Sequence, residues 1–195
     1  MRNYVALLTL AGALAVPGSA AVMTWTANLD SAQENNPTNM ATGTGSGWVR
    51  FDDTTNVLDL FVMWEGLTGP GMQAHIHCCV ATPPGNAGIA VDLWLMDNPQ
   101  PATGTYSASY DLDEDDPFRE SFRLANGGTV LTAFAALRSA MDANEGRAYY
   151  NIHTMAWPGG EIRGNLDSAV PEPATAAVVV SGLAVLLLRR RLMRR

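Results

Sequence analysis

The sequence predicts an all-β domain, an antiparallel β-sandwich or a Greek-key barrel of about seven or eight strands with one short helix. Three observations predict this fold. Apolar and more polar residues alternate in several short segments, and turns rich in glycine and proline separate these segments. Only one stretch, Thr129 to Asn144, has apolar residues at helical spacing.

The predicted strands follow one another along the chain. Met23 to Leu29 alternates, the polar segment Asn35 to Gly47 is predicted to be a loop, and Trp48 to Phe51 begins the second strand. Asp52 to Asn56 predicts a hairpin turn into Val57 to Trp64, whose nearly continuous apolar residues predict a strand covered on both faces. The remaining predicted strands are Met72 to Val80, Ile89 to Met96, Gly104 to Leu112, Tyr149 to Met155 and Glu161 to Leu166.

Residues 1–21 have the three parts of a secretory signal peptide. Arg2 gives the charged start, residues 4–16 form a short apolar core, and small residues follow. The apolar core is shorter than the roughly 20 residues that a membrane span needs. We therefore expect a signal peptidase to cleave this segment after Ala20 or Ala21.

Residues 170–195 form a second targeting segment. Residues 174–188 are uncharged and largely apolar, and an arginine-rich tail follows them. Because arginines beside a hydrophobic span stay on the cytoplasmic side, the pattern predicts a transmembrane helix over 174–188 with the body outside the membrane.

The details of this segment resemble a known sorting signal. Pro171, Glu172 and Pro173 precede the apolar stretch, and Arg189, Arg190 and Arg191 follow it directly. This layout resembles a PEP-CTERM sorting signal. The resemblance implies recognition and removal by an exosortase, a membrane-embedded sorting enzyme of bacteria that make extracellular polysaccharide. An ordinary membrane anchor is the alternative.

The charge of the body excludes one class of partner. Of the twelve arginines, six lie in the two targeting segments, and the chain has no lysine. Eighteen of the nineteen acidic residues lie in residues 22–169, a length that suits one domain. A body this acidic does not attract nucleic acid through general electrostatics, so no nucleic-acid partner is expected.

Several segments of the body follow one family pattern. They are Asn28 to Glu34, Gly43 to Asp53, Gly66 to Pro70, Ala74 to His77, Tyr149 to Thr154 and Pro158 to Gly164. The pattern resembles a CHRD domain over most of Thr24 to Asp167. The resemblance implies a β-rich extracellular binding or structural module with no established reaction. The sequence departs from the family after His77, where Cys78 and Cys79 replace the usual small residues.

The three histidines are the candidate metal ligands. His75 and His77 are two residues apart on one predicted strand, so their side chains share a face. His153 lies on another predicted strand, and it converges with them if the two strands are neighbours. Three imidazoles with an open position can bind copper or zinc. The alternative is that each histidine only forms hydrogen bonds with a neighbouring carbonyl or carboxylate.

The adjacent cysteines leave four interpretations open. Cys78 and Cys79 form a vicinal disulfide, form bridges between chains, remain free thiols, or add a thiolate to the metal site. The His-x-His strand is similar to that of copper-zinc superoxide dismutase, although the further histidines and the distant cysteine pair of that enzyme are absent from the sequence.

No catalytic residue is predicted, because no nucleophile with an adjacent base is visible. Glu161 and Arg163 share a face of the last predicted strand, which predicts a surface ion pair of little energetic weight. We therefore expect a non-enzymatic module, exported to the cell envelope, the outer surface or the extracellular polysaccharide matrix of a biofilm. A metal-binding or redox module is the first alternative, and a hydrolase or dismutase is the second.

Overall fold

Three long strands, in which buried residues alternate with more exposed ones, form one third of the nine-stranded sheet. In this computed structural model, which describes residues 22–36 and 38–169, β1 (Val22–Asp30), β2 (Thr44–Asp52) and β3 (Val57–Glu65) pair antiparallel in sequence order. Every second residue from Leu58 to Trp64 is buried, and the residues between them are partly or fully exposed. The prediction that both faces of β3 are covered is therefore wrong, because the core lies on one face only.

The remaining strands complete a nearly closed barrel. They are β4 (Gly71–Cys78), β5 (Ile89–Trp94), β6 (Gly104–Asp111), β7 (Ala148–Thr154), β8 (Ile162–Asn165) and the short β9 (Asp167–Ser168). The order in the antiparallel sheet is β5-β4-β7-β8-β1-β2-β3-β6, and β9 pairs with β1. Trp94 of the edge strand β5 packs against Trp64 and against Tyr106 of the other edge, with ring centroids 4.8 and 5.7 Å apart. The predicted all-β fold is confirmed in its barrel form.

Two helices lie outside the sheet. The predicted helix is α2 (Val130–Asp142), and Thr129 caps its N-terminus through reciprocal hydrogen bonds with Thr132. Its buried side packs on the barrel, where the rings of Phe134 and Phe51 lie 4.2 Å apart.

The second helix, α1 (Glu120–Ala125), was not predicted from the sequence. The chain entering it runs along the free edge of β5, because Arg119 N–H donates to the Ala90 carbonyl at 2.9 Å. This contact places the Arg119 side chain beside the outer face of β5.

The buried polar side chains of the described residues lie in one region. Every buried polar or charged residue among them belongs to β4, β7, β8 or the turn before β8: His75, Asn151, His153, Thr154, Glu161 and Arg163. Their apolar neighbours along β4 and β7, such as Ile76 and Ile152, point into the core. His75, Asn151, His153 and Arg163 therefore lie on the outer face of the barrel, where loop residues contact several of them. Thr154 and Glu161 lie at the turn between β7 and β8 and are hydrogen-bonded to each other.

The predicted signal peptide and the predicted sorting signal with its transmembrane helix lie outside the described residues. Within residues 22–36 and 38–169, no helix is long and apolar enough to cross a membrane.

Candidate metal centre

Strand pairing brings the three histidines together. β4 and β7 are neighbours, and their register places His75 opposite Asn151 and Gln73 opposite His153. His153 is therefore the diagonal neighbour of His75 on the same outer face. His75 and His153 are buried, with 1% and 8% of their surface exposed, and His77 is half-buried.

The ring nitrogens of these histidines form a compact set. Nδ1 of His75 lies 3.2 Å from Nε2 of His153, and one nitrogen from each of the three rings lies within 4.8 Å of the others. Two nitrogens bound to one tetrahedral zinc at about 2.0–2.1 Å are about 3.3–3.4 Å apart. The His75–His153 pair has this spacing already, and His77 completes a more open triangle.

Hydrogen bonds of the His153 and His77 rings determine which of their nitrogens remain available to a metal ion. His153 Nδ1 lies 3.0 Å from the Pro158 carbonyl, and His77 Nδ1 lies 2.9 Å from the Ala87 carbonyl. A carbonyl only accepts, so both Nδ1 atoms carry the proton and both Nε2 atoms keep a lone pair. Nε2 of His77 is buried and has no hydrogen-bond partner among the described residues.

A carboxylate lies behind the third ring. Asp92 of β5 pairs with His75 across the strands, and its Oδ1 lies 3.4 Å from His75 Nε2, too far for a well-formed hydrogen bond. Arg119 holds this carboxylate with two hydrogen bonds of 2.7 and 2.8 Å. Carboxylates in this position orient metal-binding histidines and make them better ligands.

Neither neutral tautomer of His75 satisfies both of its contacts. In the first tautomer the proton is on Nε2, and the lone pair of His75 Nδ1 faces the lone pair of His153 Nε2 at 3.2 Å. In the second tautomer the proton is on Nδ1, and the lone pair of His75 Nε2 faces the Asp92 carboxylate. A doubly protonated ring would satisfy both. Burial and the neighbouring His153 and His77, however, lower the pKa of His75 to about 3. A cation between the rings removes the conflict in the first tautomer.

Burial also keeps the other two rings neutral. It lowers the pKa of His77 to about 4, against the opposing effect of the hydrogen bond to Ala87. It lowers the pKa of His153 as well, against the opposing hydrogen bond to Pro158. The neutral imidazole is the form that binds metal ions.

A stack of side chains continues from the histidines. The rings of His77 and Tyr149 are parallel with centroids 4.8 Å apart, and the Arg163 guanidinium lies 3.4 Å from the Tyr149 centroid. Burial raises the pKa of the nearby Glu34 to about 7, although Arg163 and a hydrogen bond from Asn151 lower it. Stacking on Tyr149 therefore fixes the orientation of the His77 ring.

Glu161 and Arg163 do not form the predicted ion pair with each other, and the acidic residue whose charge interacts with Arg163 is Glu34. Both residues are buried, and the described residues show no ion pair between them. Glu161 instead accepts hydrogen bonds from Thr68 and Thr154. The two residues separate because Glu161 lies in the turn before β8, whereas Arg163 lies on the strand.

The cysteines lie outside the histidine cluster. Cys78 and Cys79 form a disulfide with each other, so neither offers a thiolate to a metal ion. Cys78 is part of the barrel core, whereas His77 points outward, as expected for consecutive residues of a strand.

The sequence did not reveal three of the residues that surround the cluster. The structure adds Asp92, Arg119 and the Tyr149 ring to the predicted histidines. A charged residue inside the apolar strand β5 is the only signal that could have indicated Asp92.

Sequence comparison identifies the family of this chain. The CHRD domain family matches residues 25–166, well over half of the chain. The chain belongs to the CHRD domain family. No curated protein and no solved structure is detectably similar to it. Membership in the CHRD family favours a binding or structural module.

Proposed function

We propose that this CHRD protein is an exported, non-enzymatic module of the cell envelope that binds one copper or zinc ion through His75, His77 and His153. One observation carries the proposal: one ring nitrogen from each of the three histidines lies within 4.8 Å of the others, while carbonyls and a carboxylate face the opposite nitrogens of the same rings. A purely structural role does not account for this arrangement, because neither neutral tautomer of His75 satisfies both the His153 contact and the Asp92 contact.

The ligand set narrows the choice of ion. It consists of neutral imidazoles, because the only two cysteines of the chain are paired with each other. Imidazole suits copper and zinc, whereas calcium and magnesium prefer oxygen ligands. Three protein ligands leave a coordination position open for water or for a group of a partner.

Asp92 is a positioning residue in this proposal, and its substitution tests the orientation of His75. We expect Asp92→Asn to weaken zinc or copper binding about 10- to 100-fold while leaving one site per chain. The reason is that an uncharged amide stabilises the Nε2–H tautomer of His75 less than the carboxylate does. Isothermal titration with each metal measures the effect. Asp97→Asn, at an exposed position just beyond β5, is the matched control. Equal affinities for the two variants would contradict this role.

Export and sorting complete the proposal. A signal peptidase removes residues 1–20 or 1–21, and an exosortase recognises Pro171, Glu172 and Pro173, the apolar stretch 174–188 and the arginines that follow. The protein then belongs to the outer surface or to the polysaccharide matrix. The sequence layout supports this route.

Intact-mass measurement tests the processing. Expressed in a bacterium that has an exosortase, the surface-released protein should lack both the signal peptide and the arginine tail. Replacing Arg189, Arg190 and Arg191 together with glutamine should keep the uncleaved protein in the membrane fraction. Released protein that still carries residues 174–195 would rule out cleavage of the tail.

A further inference from the structure

The Cys78–Cys79 disulfide contributes almost nothing as a cross-link. Disulfides stabilise folds mainly by closing loops in the unfolded chain, and the effect grows with the number of residues enclosed. Adjacent cysteines enclose no intervening residue. These two are the only cysteines in the sequence, so an ordinary stabilising bridge does not explain them.

The disulfide forms part of the wall of a cavity. The cavity has a volume of about 360 Å³ and is lined by both cysteines, by Ile89 of β5 and by Ser121, Phe122 and Ala125 of α1, among others. Its size falls at the lower end of the range for sites that hold small molecules. It lies apart from the histidines, none of which lines it.

We propose that this cavity admits a low-molecular-weight thiol and that Cys78–Cys79 is a site of thiol–disulfide exchange. Cys78 is buried and Cys79 is partly exposed, so the incoming thiolate attacks Sγ of Cys79. The sulfur–sulfur bond breaks, a mixed disulfide forms on Cys79, and Cys78 leaves as a thiolate that takes up a proton.

A second thiol completes the reaction. Its thiolate attacks the outer sulfur of the mixed disulfide, which releases the small-molecule disulfide and leaves Cys79 reduced. Two thiols are oxidised, and the protein disulfide gains two electrons and two protons. Among the described residues, no side chain that could act as a base lines the cavity. The thiol therefore supplies its own thiolate, and the rate should rise with pH toward the pKa of that thiol.

The test uses the purified, metal-free protein with reduced glutathione, followed by acid quenching and intact-mass spectrometry. We expect a mixed disulfide and then the dithiol while near-ultraviolet circular dichroism shows that the protein remains folded. Ala125→Trp should fill the cavity and slow the exchange at least about tenfold, because access limits such reactions. Leu124→Trp, at an exposed position on the same helix that does not line the cavity, should react at the wild-type rate.

Three results would overturn the proposal. They are free thiols in the untreated protein, reduction that occurs only after unfolding in denaturant, and equal rates for Ala125→Trp and Leu124→Trp. None of the three histidines lines the cavity, so a failure of metal binding would leave this proposal unaffected.

Discussion

Zinc or copper should stabilise the folded protein, and the stabilisation should disappear in His153→Asn. If an ion binds only the folded state and its free concentration is about 100 times the dissociation constant, it adds about 2.7 kcal/mol to the free energy of unfolding. Denaturant titrations with and without metal measure this difference. The comparison is made within each variant, so any destabilisation that His153→Asn causes by itself cancels.

A substitution beyond the site provides the control for this experiment. Met155 lies just after β7 with 75% of its surface exposed, and Met155→Asn should respond to metal as the wild type does. Loss of the metal response in Met155→Asn, or the same response in His153→Asn as in the wild type, would contradict the assignment of His153 as a ligand.

Glu161→Ala should cause a large loss of stability in the absence of metal. The Glu161 side chain is fully buried, and its Oε1 accepts hydrogen bonds from Thr68 N–H at 2.7 Å and from Thr68 Oγ1 at 3.0 Å. Its Oε2 accepts from Thr154 Oγ1 at 2.6 Å. Removing the carboxylate leaves these donors without a partner, so we expect a cost of about 3 kcal/mol in the free energy of unfolding.

Denaturant unfolding with two further variants separates this effect from a general effect of charge. Glu65→Ala removes an exposed carboxylate at the end of β3 and should change the free energy of unfolding by less than about 0.5 kcal/mol. Glu161→Gln keeps one acceptor oxygen and should fall between the two. A cost for Glu161→Ala as small as that for Glu65→Ala would show that the buried hydrogen bonds do not hold the turn.

Local patterns predicted most of the strands. Alternation identified β1 and the hairpin of β2 and β3, and helical spacing identified α2. The start of β2 was missed because Gly45 and Gly47 read as loop residues. A side chain at Gly47 would lie 2.8 Å from the Phe61 carbonyl and 3.0 Å from the Tyr150 ring, so packing across the barrel requires glycine inside this strand.

The sequence predicted only part of the candidate metal site, because the rest of the site depends on contacts between distant segments. The two-residue period places His75 and His77 on one face, and this follows from the sequence alone. Their meeting with His153 depends on the pairing of β4 with β7, a contact between distant segments that no local pattern contains. The roles of Asp92 and Arg119 depend on the path of the chain before α1, a helix too short to give a clear periodic signal.

The metal content of the purified protein tests the central claim most directly. The protein is loaded with copper and with zinc separately, washed and analysed for bound metal. The account predicts about one ion per chain with at least one of the two metals, and none in the double variant His75→Ala and His153→Ala. Less than about a tenth of an equivalent of either metal in the wild type would contradict the account and leave the histidines with a structural role.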